Sequence, residues 1–174
     1  FPLAMSSFAL FTDGSFDPKT KIGMGSFLLL PSSYLATPLE EIDHRSLNDS
    51  LKFNQVLDTS STQLEIKTAL WALEAFANTS NEALDLYTDS QGVAGLLERR
   101  TRLEATEFIS KKTQRELNHA PLYRRFYALY DDMNFQVTKV AGHQRKATHD
   151  TIQRLFSIVD QGARKALLQS RKST

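Results

Sequence analysis

Two short segments of the sequence end on a Thr-Asp pair. Asp13 follows the apolar run of residues 8–12, and Asp89 follows a second such run at residues 84–88. Aligned strands that both stop at an aspartate project two carboxylates from one edge of a sheet, where open α/β sheets usually bind ligands. Neighbouring carboxylates repel each other unless a cation joins them, and hard divalent cations such as Mg²⁺ take oxygen ligands. The pair therefore predicts a metal-dependent enzyme.

A third carboxylate, Glu65, lies in a helix predicted from residue 60 or 61 to residue 77. Positions 65, 69, 72 and 76 form one row of this helix, and Glu65 interrupts an otherwise apolar row. An unpaired buried carboxylate is costly, so a glutamate there needs a partner. Each acid also has an ordinary explanation: a turn residue for Asp13, a helix N-cap for Asp89, and a favourable first-turn charge for Glu65. The metal hypothesis depends on their combination.

The elements that must position these acids follow from hydrophobic periodicity. Strands are predicted at residues 7–12, 23–30, within 45–57, at 84–88 and at 135–141, with Asp13-Gly14 as a turn. Helices are predicted at residues 60–77, 89–99, 121–133 and 150–169, and residues 31–43 and 100–119 are expected to be irregular. Three hairpin-connected strands followed by alternating elements imply an α/β fold: a mixed five-stranded sheet with its first three strands antiparallel and helices on both faces.

Charge is distributed unevenly along the 174 residues, although the net charge is only +1. Residues 1–97 carry 12 Asp or Glu and 5 Lys or Arg, whereas residues 98–174 carry 8 acidic and 16 basic residues. Solvated helix faces would explain the basic half equally well, but its combination with a carboxylate cluster favours a polyanionic partner. Metal-bound carboxylates would meet the scissile phosphate while basic side chains hold its neighbours.

Composition restricts the class of protein. The length fits a single domain over residues 1–174, with its core at 7–169 and short tails. The absence of cysteine excludes disulfides and thiolate metal sites, and no apolar run is long enough to cross a bilayer. The start at Phe1 rather than Met predicts a processed or trimmed N-terminus, and no signal pattern precedes the first strand. We expect a cytoplasmic, water-soluble monomer that does not bind membranes.

Five motifs in order give the sequence a resemblance to a known family. They are TDGS at residues 12–15, QLEI with ALEA at 63–66 and 72–75, TDSQ at 88–91, KVAGH at 139–143, and Asp160 before ARKA at 163–166. Together they resemble ribonuclease H of type 1 over residues 8–167 and imply a ribonuclease H-like fold. The resemblance implies an endonuclease that cuts the RNA strand of RNA/DNA hybrids with two Mg²⁺ ions, for which Mn²⁺ could substitute, leaving 5′-phosphate and 3′-hydroxyl ends.

The resemblance also implies roles for individual residues. Asp13 would lie between the metals, with Glu65 and Asp89 on one side and Asp160 on the other, and His143 would be the family's mobile histidine. Asp150 is a rival fourth ligand, because Asp160 follows His143 by 17 positions, more than in the commonest relatives.

Substrate contacts are implied for a further set of residues. Groove shape, phosphates and 2′-hydroxyls distinguish hybrids, so little sequence specificity is expected. Ser15 either hydrogen-bonds beside Asp13 or caps the turn. The remaining expected contacts are Ser61, Thr62, Gln63 and Gln91, with Arg99, Arg100, Lys111 and Lys112 as the basic surface.

Two other functions are compatible with such a fold. An exonuclease usually needs an Asp-x-Glu pair on its first strand, and position 15 is serine, which argues against it. A hybrid-binding module without catalysis would bind but not cut, and the intact acidic residues argue against that alternative.

Overall fold

The computed structural model describes residues 6–142 and 149–172. Within them, five strands form one mixed sheet in the order β3-β2-β1-β4-β5. The strands are β1 (Phe8–Asp17), β2 (Ile22–Pro31), β3 (Lys52–Val56), β4 (Leu84–Thr88) and β5 (Phe135–Lys139). The helices are α1 (His44–Ser50), α2 (Ser61–Ala77), α3 (Gln91–Ala94), α4 (Leu96–Ala105), α5 (Ala120–Asp132) and α6 (Thr151–Lys172). The predicted fold class is confirmed.

The strand directions agree with the predicted hairpins and crossovers. Strand β2 runs antiparallel to both β1 and β3. Strand β4 runs parallel to β1 and to β5, as expected for strands connected through helices.

Each face of the sheet carries its own apolar core. Successive residues of a strand point to opposite faces, so Leu10 packs in the core that includes Ile66 of α2 and Phe126 of α5. Its neighbour Phe11 packs in the other core, together with Leu155 of α6. Helices therefore cover both faces. None of the helices in the described part of the chain has the length and apolar character needed to span a bilayer.

Strand β1 is longer than its sequence predicted. It continues through Asp13 because Gly14 pairs with Gly25 and Ser15 pairs with Met24, so the expected Asp13-Gly14 turn is wrong. The chain turns after Asp17 instead, where the Asp17 carboxylate accepts hydrogen bonds from the Lys19 amide at 3.0 Å and the Thr20 hydroxyl at 2.9 Å.

Two helical regions also differ from the prediction. Helix α1 occupies part of the stretch that was expected to be loop and strand, and Asp43 caps it by accepting from the Ser46 amide at 3.1 Å. The helix predicted from residue 89 to 99 is two helices, α3 and α4, separated at Gly95, and α4 extends to Ala105 within the region expected to be irregular.

Candidate functional site

The register of the two central strands brings Asp13 and Asp89 to the same level of the sheet. Phe11 of β1 lies beside Tyr87 of β4 in the parallel ladder, and each aspartate follows two residues later. Side chains two residues apart point to the same face, so Asp13 and Asp89 both lie on the side of the sheet that α6 covers. Asp13 thus extends from within β1, and Asp89 from the end of β4.

Helix α2 approaches the sheet closely enough for Glu65 to reach the same place. Gly14 and Gly23 make this possible, because a Cβ atom on either residue would lie only 2.8 or 2.7 Å from Cδ2 of Leu64. The start of α2 is fixed by Ser60, whose hydroxyl accepts from the Gln63 amide at 3.1 Å. Glu65 consequently stands in the second turn of a well-anchored helix.

The two candidates for the fourth ligand, Asp150 and Asp160, have different surroundings along α6. Asp150 accepts from the Gln153 amide at 2.8 Å, and the Gln153 side chain accepts from the Asp150 amide at 3.0 Å, which is a capping box at the helix start. Asp160, ten residues further along, forms a hydrogen bond with the carboxyl group of Asp13. The structure therefore brings Asp160 to the other acids and gives Asp150 a capping role.

One cleft of about 510 Å³ is lined by all four carboxyl groups. We call it the carboxylate cleft, and its acidic residues are Asp13, Glu65, Asp89 and Asp160.

The carboxylate cleft strongly disfavours negative charge at its centre. Burial, the charge of Asp89, and a hydrogen bond with Asp160 together with its charge raise the pKa of Asp13 to about 9, against a smaller opposing effect of the Gly14 amide. At neutral pH the site therefore holds a proton on Asp13 or takes up another positive charge.

Glu65 is held at the cleft by Ser90. The Ser90 hydroxyl donates a 2.7 Å hydrogen bond to Oε2 of Glu65 and also accepts from the Val93 amide, so one side chain caps α3 and fixes the glutamate. Burial raises the pKa of Glu65, the Ser90 hydrogen bond opposes this, and the charge of Asp89 adds to it. The sequence analysis included Ser90 only as a member of the TDSQ motif.

Arg164 is a basic side chain at this site to which the sequence assigned no role. Its Nε lies 3.2 Å from Oδ1 of Asp160, one helical turn earlier, and it lines the carboxylate cleft. The i to i+4 spacing on α6 was the signal that could have identified it.

The acids line one cleft without forming a ready-made ligand set. Among residues 6–142 and 149–172, no three Asp, Glu, His or Cys side chains surround a common point closely enough to hold a metal ion. Two of the acids contact neighbouring side chains instead: Glu65 accepts a hydrogen bond from Ser90, and Asp160 forms an ion pair with Arg164.

Only two of the expected substrate contacts on β1 and at the start of α2 line the cleft that holds the acids. Ser15 and Ser61 line the carboxylate cleft itself. Thr62 is exposed beside them, and the Gln63 side chain accepts a 2.8 Å hydrogen bond from the Thr59 hydroxyl.

The expected basic surface is only partly open to a ligand. The Arg99 guanidinium donates hydrogen bonds to the carbonyls of Gly92 and Gly95, where α3 ends and α4 begins. Gln91, another expected substrate contact, lines a small pocket together with Arg99. Arg100 forms a two-pronged ion pair with Asp131, at 2.6 and 2.7 Å. Lys111 and Lys112 are exposed in the turn that follows α4.

His143 lies outside the described residues. Gly142 precedes it and lies beside Asp89, since a Cβ atom there would be 3.0 Å from Oδ2 of Asp89. Another histidine, His149, lines a groove next to the carboxylate cleft. The sequence analysis did not identify His149 as a candidate site residue.

Comparisons with known proteins agree with this architecture. The sequence profile of the RNase H family matches residues 5–166. The solution structure of the RNase H domain of PFV, the prototype foamy virus, has a TM-score of 0.66 at 15% identity, with 92% of this chain and 96% of that domain covered.

Two foamy viral protease-reverse transcriptase structures are also similar. One, in complex with dsDNA, has a TM-score of 0.62 at 16% identity and covers 94% of this chain and 97% of that chain. The other, in complex with an RNA/DNA hybrid, has a TM-score of 0.59 at 15% identity and covers 91% of this chain but only 20% of that chain. A search of curated proteins gave no significant match. With a profile match over nearly its whole length, the chain belongs to the RNase H family.

Proposed function

We propose that this protein is a metal-dependent endonuclease that hydrolyses the RNA strand of RNA/DNA hybrids. The observation that carries the proposal is the convergence of Asp13, Glu65, Asp89 and Asp160 in one cleft, from four different elements of the fold. Family membership supports nuclease chemistry on nucleic acid.

The donor set of the carboxylate cleft fits hard divalent cations. Its carboxyl oxygens are ligands that Mg²⁺ prefers, and the raised pKa of Asp13 reflects a surplus of negative charge that a cation would relieve. A pair of such ions supplies activation of the attacking water and stabilisation of the leaving 3′-oxygen. Asp13, Glu65, Asp89 and Asp160 are the residues that would hold them, with Mg²⁺ as the expected ion and Mn²⁺ as a substitute.

The protein's own groups prepare the site for this chemistry. The parallel register of β1 and β4 brings Asp13 and Asp89 to the same level and the same face of the sheet. Ser90 orients Glu65 and Arg164 orients Asp160, so both acids are directed by fixed neighbours. Ser15 and Ser61 line the same cleft, and their hydroxyls would hydrogen-bond the RNA strand.

The products follow from the direction of attack. Water adds to the phosphorus and the 3′-oxygen leaves, which gives 5′-phosphate and 3′-hydroxyl ends. Because the RNA 2′-hydroxyl does not take part, this pathway produces no 2′,3′-cyclic phosphate.

A labelled RNA/DNA hybrid incubated with Mg²⁺, and in parallel with EDTA, tests the proposal. We expect the RNA strand to be cut in Mg²⁺ and to stay intact in EDTA, with the DNA strand intact in both. Equal binding in both conditions without cutting would instead support the hybrid-binding module.

A further inference from the structure

Ser26 is a buried serine that lies directly opposite Asp13 in the sheet. The antiparallel register of β1 and β2 pairs the two residues. Side chains paired in this way point to the same face of a sheet, with their Cβ atoms about 4.5–5.5 Å apart. Ser26 therefore lies next to Asp13 on the face that α6 covers, and it is 0% exposed to solvent.

The hydroxyl group of Ser26 has no hydrogen-bond partner among residues 6–142 and 149–172. Folded proteins rarely leave a buried hydroxyl unpaired, because it has lost its hydrogen bonds to water and gained none in return. An alanine would occupy almost the same space without this cost. The serine is therefore a candidate for a contact that forms in another state of the protein.

The neighbours of Ser26 on this face of the sheet identify the partner. Met24 and Leu28 flank it along β2, and Phe53 of β3 pairs with it on the side away from β1. All of these flanking residues belong to the described part of the chain, and Asp13 is the one whose side chain can accept a hydrogen bond from a hydroxyl.

The present contacts of Asp13 explain why its carboxyl group does not already accept from Ser26. That group is hydrogen-bonded with Asp160 and with the Gly14 amide. Two carboxylates that bind a cation only accept hydrogen bonds, so the bond between Asp13 and Asp160 cannot persist in that state. Ligating carboxylates are usually hydrogen-bonded by neighbouring groups. Rotation about a single side-chain bond is enough to redirect a serine hydroxyl.

We infer that Ser26 is a positioning residue for Asp13, and that its hydroxyl donates a hydrogen bond to the Asp13 carboxylate when this carboxylate binds a divalent cation. The inference rests on the proposed function and adds a supporting residue to its metal site. Ser26 acts through Asp13 and contacts neither the cations nor the RNA strand.

Titration of the protein with Mn²⁺, followed by the electron paramagnetic resonance signal of the free ion, tests the inference. We expect Ser26→Ala to raise the Mn²⁺ dissociation constant about tenfold, the usual effect of removing a group that supports a metal ligand. The Mg²⁺ concentration needed for half-maximal cutting should rise by a similar factor. The dissociation constant for an RNA/DNA hybrid in EDTA should stay at the wild-type value.

The Thr68→Val variant is the matched control. Thr68 is a second buried residue whose hydroxyl has no partner within the described ranges. It lies on α2 against Gly25, whose side of the sheet is opposite to that of its neighbour Ser26. Valine keeps the shape of threonine and removes the hydroxyl. We expect its Mn²⁺ dissociation constant to stay within about twofold of wild type.

Urea unfolding in EDTA distinguishes a positioning role from an ordinary packing role. Neither variant should have a lower unfolding midpoint than wild type, because each removes a hydroxyl that has no partner in the absence of cations. A lower midpoint for Ser26→Ala would overturn the inference, since it would show that this hydroxyl already stabilises the protein without metal.

The metal titrations supply the remaining outcomes. A Mn²⁺ dissociation constant of Ser26→Ala within about twofold of wild type would overturn the inference, as would an equal loss of affinity in Thr68→Val. A wild-type protein that binds no Mn²⁺ would also overturn it. Binding of Mn²⁺ without cutting of a hybrid in either Mg²⁺ or Mn²⁺ would overturn the proposed function alone, and the two dissociation constants would still decide the role of Ser26.

Discussion

Replacing Asp13 with asparagine should stabilise the metal-free protein. Burial and the neighbouring Asp89 and Asp160 raise the pKa of Asp13 from 3.8 to about 9 in the folded state. The folded protein therefore keeps a proton that the unfolded chain releases. The stabilising contribution of this group is complete below the unfolded pKa and is lost as the pH rises through the folded pKa.

The magnitude follows from the width of that pH window. Each pH unit costs about 1.4 kcal/mol, so roughly three units between the unfolded pKa and pH 7 give an upper limit of about 4 kcal/mol. Partial exposure of the cleft and sharing of the proton with Asp160 reduce this value. We expect Asp13→Asn to raise the free energy of unfolding by about 2–4 kcal/mol at pH 7, and by much less near pH 4.

Urea unfolding in EDTA, followed by far-UV circular dichroism at pH 4, 7 and 8.5, measures the effect. Asp49→Asn is the matched control, because Asp49 is an exposed carboxylate on α1 outside the cleft. Its substitution should change stability little at any pH. An Asp13→Asn protein that is less stable than wild type at pH 7, or whose gain does not depend on pH, would refute the reasoning.

Three further outcomes are expected. Asp13→Asn should abolish cutting of a labelled RNA/DNA hybrid while the dissociation constant stays within about threefold of wild type, and an active variant would contradict the site assignment. Ser90→Ala should lower the free energy of unfolding by about 1–2 kcal/mol in a denaturant titration, because α3 loses its cap; an unchanged stability would show that the cap is dispensable. Lys111→Ala/Lys112→Ala should reduce the slope of binding affinity against salt by about 2, whereas Arg100→Ala, whose charge is already paired, should leave it unchanged. The reverse pattern in fluorescence anisotropy titrations would assign the phosphate contacts to Arg100.

Local patterns predicted the elements whose signals are contained in a short stretch of sequence. The helical repeat of α2 and the apolar run of β4 agree with the structure to within a residue. Helix α1 escaped prediction because it is short and buries only Leu47. The predicted β1 was too short because an Asp-Gly pair, here Asp13-Gly14, is typical of turns. The pairing of Gly14 with Gly25 depends on the neighbouring strand β2, which a local pattern does not contain.

The candidate site was predictable to the extent that strand order determines it. Parallel pairing of β1 and β4 is enough to bring Asp13 and Asp89 together. The sequence could not distinguish Asp150 from Asp160, because Asp150 lies at the start of α6 and Asp160 lies within the same helix. The packing of α6 on the sheet shows which of the two approaches Asp13. The position of Arg164 depends on which face of α6 meets the carboxylate cleft, and helical periodicity alone does not determine that face.

Anomalous diffraction from crystals soaked in Mn²⁺ shows directly whether the carboxylate cleft binds metal ions. We expect two peaks in the carboxylate cleft, within coordination distance of Asp13, Glu65, Asp89 and Asp160. A soak at saturating Mn²⁺ that leaves the cleft without peaks, or that places the metal only elsewhere on the protein, would contradict it.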